Sequence, residues 1–108
     1  MSTRRLISEI TCHENYGIQC SVQVDQSCEQ NNGKGLIEWK AEPTLNCPRN
    51  KLQSIYKEKT LPDSATYTSY KFHELVPGVN YIISANIIEQ DVSQGKVTSY
   101  FTKFEDSM

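Results

Sequence analysis

Residues 81–88, Tyr-Ile-Ile-Ser-Ala-Asn-Ile-Ile, leave a chain few ways to fold. In an extended backbone Tyr81, Ile83, Ala85 and Ile87 fall on one side and Ile82 and Ile88 on the other. A repeat of two is the signature of a strand, and helical spacing is almost absent elsewhere. The same alternation sets Thr66, Thr68, Tyr70 and Phe72 on one face, and Val22 and Val24 between Gln23 and Asp25. Ile37 and Trp39 flank Glu38 within a strand predicted over Leu36 to Lys40. Two more are predicted over Lys51 to Lys59, with Leu52 and Tyr56 among its apolar positions, and over Val97 to Phe104. Their Val, Ile, Thr, Tyr and Phe content suits a pleated, half-buried surface.

Between these runs lies turn chemistry. Glu29 to Gly35 is rich in Asn and Gly, which tolerate positive φ, while Pro43 and Pro48 bracket a loop. Leu61-Pro62-Asp63-Ser64 reads as a turn, and Gln90 to Lys96, with Gly95, as a polar loop. Short strands at near-regular spacing predict an all-β fold, an antiparallel sandwich. The 108 residues suffice for one domain with one core. With 37% hydrophobic and 22% charged residues, the composition is that of a folded chain.

A net charge of −2 provides no basic stripe for nucleic acid. The longest apolar run, Tyr81-Ile82-Ile83, is far too short to cross a bilayer. Cys12, Cys20, Cys28 and Cys47 are an even set in a small domain, which predicts disulfides and an oxidising compartment. Successive cysteines are 8, 8 and 19 positions apart, without the close-set pair that presets a structural zinc site. Met1-Ser2-Thr3-Arg4-Arg5 opens no apolar leader, so an extracellular chain would be a piece of a longer one. No Asn-x-Ser/Thr sequon occurs, which counts slightly against that compartment.

Catalytic chemistry finds little support. A nucleophile needs a base within reach and a third group to orient it. The two histidines, His13 and His73, read as a loop residue and an exposed strand-end residue, and Asp63 and Ser64 suit local turn hydrogen bonds. No enzyme, metal or cofactor is expected. Trp39, Tyr70, Phe72, Leu75 and Tyr81 are the candidate core, whereas the adjacent Tyr100 and Phe101 must face opposite ways.

Leu75-Val76-Pro77-Gly78-Val79-Asn80-Tyr81 reads L-x-P-G-x-x-Y between two alternating strands. Pro77-Gly78 suits the middle of a turn, and the tyrosine hydroxyl returns to backbone a few residues upstream. With Tyr70-Lys71-Phe72 before it, the stretch resembles strands E and F of a fibronectin type III domain. Trp39 and Pro43 resemble that family's strand-B tryptophan and trailing proline, so the likeness spans roughly residues 20–104 and implies a sandwich of seven strands. An immunoglobulin variable domain is the rival. Cys28 and Trp39 are eleven apart, and Asp63-Ser64-Ala65-Thr66-Tyr67 matches D-x-A-x-Y, but Ser69 stands where that family has cysteine. Separately, Cys12 to Cys20, with Tyr16-Gly17 between them, resembles the last loop of an EGF-like module; a disulfide-strapped extension is the equal alternative.

These resemblances imply three segments: an N-terminal extension over 1–19, the sandwich over 20–104 and an acidic tail over 105–108. The EGF-like spacing implies Cys12 with Cys20, leaving Cys28 with Cys47 towards opposite ends of the sandwich; Cys20 with Cys47 is the competing pair. The implied function is that of a non-catalytic extracellular module in a cell-surface receptor or adhesion protein. Its partners would be a protein ligand or neighbouring domains. Asp91, Gln94 and Lys96 would make the contact from a loop at the same end as Pro43 to Asn50, beside the N-terminal extension. The alternative is an accessory or spacer module of a secreted or intracellular enzyme.

Overall fold

The computed structural model describes residues 5–25, 35–44, 53–62, 66–89 and 92–103. Eight strands run through them: β1 (Arg5–Leu6), β2 (Thr11–Glu14), β3 (Ile18–Asp25), β4 (Gly35–Pro43), β5 (Ile55–Leu61), β6 (Tyr67–Phe72), β7 (Asn80–Glu89) and β8 (Val92–Thr102). All pairings are antiparallel and form two sheets. In the first, β3 pairs with β6 on one side and with β1 and then β2 along the other. The second has the order β5-β4-β7-β8. Eight strands appear where seven were predicted because the edge row beside β3 is broken between Leu6 and Thr11.

The inward stripes meet in one core. Ile18, Cys20, Val22 and Val24 of β3 join Phe72 of β6, and opposite them stand Ile37, Trp39 and Ala41 of β4 and Ile83, Ala85 and Ile87 of β7. Leu61, Leu75 and Tyr81 close it, while Tyr70 is half-buried with its ring edge-on to Phe72 at 4.8 Å between centroids. Two antiparallel sheets around a shared core are consistent with a sandwich. On one flank Lys59 Nζ donates to the Ser69 carbonyl at 2.7 Å, tying the β5 edge to β6.

Several sequence expectations change here. Trp39, placed by resemblance on the strand preceding in the other sheet, lies on β4 between β5 and β7; the strand that pairs with β6 is β3. β3 begins at Ile18, so residues 5–14, set apart as an extension, are the edge of the first sheet. Where a strand was predicted from Lys51, β5 begins at Ile55; Lys51 and Leu52 lie outside the described residues. Tyr56 is exposed, and Lys57 and Lys59 take the inward side, opposite Trp39 and Ile37. Inward lysines on an edge strand lay their stems along the core and keep their ammonium groups at its rim, which also discourages edge-to-edge association. Gln90 to Lys96 is mostly strand: β8 starts at Val92, paired with Glu89.

The alternation along β7 makes a direct test. Ile87→Ala should cost on the order of 3 kcal/mol in urea unfolding, and Ile88→Ala, on the half-buried outer face, less than about 1.5 kcal/mol.

Candidate functional site

β2 and β3 form a hairpin whose tip projects from the end of the first sheet where Ile18 pairs with Phe72. Cys12 and Cys20 are directly opposed in the ladder and joined by a disulfide. This agrees with the pairing that the EGF-like spacing implies, and it removes Cys20 as a partner for Cys47. Cys28 and Cys47 lie outside the described residues. The strands leading to them, β3 and β4, finish at opposite ends of the fold: Asp25 is across from Tyr67's end of β6, and Pro43 across from Tyr81.

Beyond the disulfide the tip is fixed from several directions. Asn15 N–H donates to the Gly17 carbonyl at 2.8 Å, and Asn15 Nδ2 donates to Gln19 Oε1 at 2.8 Å. Gly17 has φ +143° and sits so close to β6 that a Cβ there would lie 3.0 Å from the Phe72 carbonyl oxygen and from His73 Nδ1. In the same short link between the paired Glu14 and Ile18, Tyr16 lies in the left-handed region at φ 52° and is 95% exposed. A bulky residue in that region is an outlier, and a local cost of this kind points to a use for the side chain. Periodicity gave no sign of it.

The same end carries the turn between β6 and β7. Val79 N–H donates to the Val76 carbonyl at 3.3 Å and Gly78 has φ +82°, the geometry of a type II turn with proline second and glycine third. Val76 N–H donates to Tyr81 Oη at 2.9 Å, and Gly78 N–H to the Lys103 carbonyl at 2.8 Å. Tyr81 is thus a buried strut between turn and core. Trp39 is fully enclosed, and its Nε1 finds no acceptor among the described residues.

The expected contact residues do not come together. Pro43 pairs with Tyr81 and Glu89 pairs with Val92, so the approaches to Asn50 and to Asp91 lie at opposite ends of β7, roughly 27 Å apart at strand rise. Lys96 is an exposed strand residue opposite Asn86, and Gln94 also lies on β8. Asp91 falls outside the described residues, as do Asp63 and Ser64. The misplacement follows from assigning β4 to the wrong sheet, which reverses the end at which its outgoing loop emerges.

On the outer face of the second sheet Glu38 stands directly opposite Glu58. Like charges so placed repel, and Tyr56 relieves them: its hydroxyl donates to Glu38 Oε2 and lies 3.3 Å from Glu58 Oε2. Asn86 Nδ2 donates to Glu38 Oε1 at 3.3 Å from the other side. The hydrogen bond to Glu38, then partial desolvation and the charges of both carboxylates, hold the Tyr56 phenol above the ordinary tyrosine range. No protein-family model matches this chain, and no curated protein matches it.

Two outcomes follow. Tyr81→Phe should lower stability by about 1 kcal/mol, because the Val76 amide loses its acceptor; chemical denaturation measures it. In an absorbance titration near 295 nm, Tyr56→Phe should remove a component from the most alkaline part of the curve. The folded state prefers the protonated phenol, so this contribution to stability is complete below pH about 10 and declines above it, where unfolded tyrosine ionises first.

Proposed function

We propose that this chain is a non-catalytic recognition module of the fibronectin type III kind, extracellular and part of a cell-surface receptor or adhesion protein. A three-row sheet facing a β5-β4-β7-β8 sheet supports that reading, as does Tyr81 anchoring the turn before its own strand. Trp39 on β4 is a feature shared with immunoglobulin domains, but Ile83 occupies the place two residues after the corner tyrosine where antibody domains carry cysteine. The Cys12–Cys20 bridge favours an oxidising compartment, weakly, since one disulfide is compatible with other settings.

The observation that carries the reading is Tyr16. A solvent-facing aromatic on a hairpin tip stapled by a disulfide spares a partner the cost of ordering the backbone that carries it, which suits an interface anchor. The contact surface therefore moves from the Asp91 side to the end bearing Tyr16 and the Val76–Gly78 turn, and the partner is a protein ligand or an adjoining domain. The spacer reading has its own support. β1 begins at the end opposite the one where β8 finishes, the geometry of modules strung end to end.

Labelled tetramers of the domain on intact cells would separate the two. Tyr16→Ala should reduce capture by at least about tenfold, while Lys96→Ala, also at an exposed position, leaves it unchanged. Equal capture by wild type and the folded Tyr16→Ala variant would sink the recognition role of the tip and favour the spacer.

A further inference from the structure

Between β1 and β2 the edge row departs from β3. Leu6 pairs with Val24 and Thr11 with Ser21, so the four residues Ile7–Ile10 stand opposite only Val22 and Gln23. The excess is pinned in place: Ile7 N–H donates to the Gln23 carbonyl at 3.0 Å, and Gln23 N–H donates to Ser8 Oγ at 2.9 Å. A bulge of this sort pushes the edge aside and re-aims its side chains. Here it opens a cleft of about 550 Å³ between the displaced segment and Tyr67.

The floor and walls of this cleft have a definite chemistry. Gln23 and Tyr67 are directly opposed across β3 and β6, and Ser21 is directly opposite Thr11. Ile7, Ser8, Glu9 and Thr66 complete the rim, and no lysine, arginine or histidine lines the cleft among the described residues. Tyr67 is 66% exposed, leaving an aromatic ring free beside an amide, several hydroxyls and one carboxylate. Adjacent positions on a sheet are about 5 to 7 Å apart, the scale of one pyranose ring and its hydroxyls.

We propose that the cleft binds a neutral pyranose. One C–H face of the sugar stacks on Tyr67, and its hydroxyls exchange water for Gln23, Ser21 and Thr11. Each rival ligand class lacks its complement. An anionic ligand would meet Glu9 with no cation to offset it. An extended peptide docks on unpaired backbone, but β6 pairs one side of β3, and on the other the Gln23 N–H and carbonyl are already taken by Ser8 Oγ and Ile7 N–H, so the floor offers mainly side chains. An apolar molecule needs an enclosed apolar pocket, and this cleft is open and half polar. The site lies on the outer face of the first sheet and does not depend on the contact assigned to Tyr16.

The test is a titration of the ¹⁵N-labelled chain with methyl β-glucopyranoside, methyl β-galactopyranoside, methyl α-mannopyranoside and chitotriose, with 3′-sialyllactose as an anionic arm. At least one neutral sugar should give saturable amide shifts confined to Ser21–Gln23 and Thr66–Tyr67, with a Kd on the order of 1 mM, as befits a shallow polar site. Tyr67→Ala should weaken binding by about tenfold or more, Tyr67→Phe should stay within about threefold, and Tyr100→Ala, another exposed tyrosine, should bind as wild type. Unshifted amides of β4 and β7 in each variant would show the fold intact. The proposal is overturned if no neutral sugar shifts those amides, if only the sialylated sugar binds, or if folded Tyr67→Ala binds undiminished.

Discussion

Trp39 stands directly across from Ala85 in the β4–β7 pairing, and that large-against-small match organises the rest of the chain. The indole fills the space between sheets only because its neighbour on the next strand is a methyl group. Shifting the register by one residue would swap Ala85 for Ser84 or Asn86 and turn Ile83 and Ile87 towards solvent. The pairing from Leu36 with Ile88 to Pro43 with Tyr81 is thus strongly determined, and β5 and β8 are laid down on either side of it. The indole N–H without an acceptor is tolerated because the ring removes far more apolar surface from water than a single unmet donor costs.

The first sheet is held differently. Its edge is two short strands, of two and four residues, with a bulge between them. Neither could persist alone. What retains them is the Cys12–Cys20 bond at one end, Ser8 standing in for a backbone acceptor in the middle, and Leu6 packed on the core at the other. The Arg5–Asp25 ion pair, 3.4 Å long and largely solvated on the arginine side, adds little. A covalent tie and a side-chain hydrogen bond thereby replace the long ladders of the second sheet, and the interruption leaves room for the cleft.

How much of this was legible in the sequence depends on how local each cause is. The β7 stripe and the Pro77-Gly78 turn were readable because period two and the demand for positive φ are properties of neighbouring residues. The stripe of β3 was readable only from Val22, because Cys20 reads as a sulfur ligand before it reads as an apolar side chain, although it is fully buried. β5 misled because Lys57 and Lys59 hold the inward positions, so a rule that turns charges outward inverts the strand. β8 misled for another reason: Ser93-Gln94-Gly95 has the composition of a loop, and only pairing with β7 makes it strand.

Tyr16 marks the limit of such reading. Its turn is local, since Tyr16 and Gly17 lie in the short link between the paired Glu14 and Ile18, but its exposure and the crowding of Gly17 against Phe72, more than fifty positions away, emerge only in the fold. The fold concentrates several departures from local preference at this tip: a non-glycine residue at positive φ, a glycine whose Cβ would crowd β6 at 3.0 Å, and an aromatic left in water. Replacing Tyr16 with glycine would relieve the backbone at no loss of packing, since the ring covers nothing in the chain at 95% exposure. Stability alone therefore does not account for the tyrosine, and the disulfide directly behind it stiffens the very segment that holds it outward.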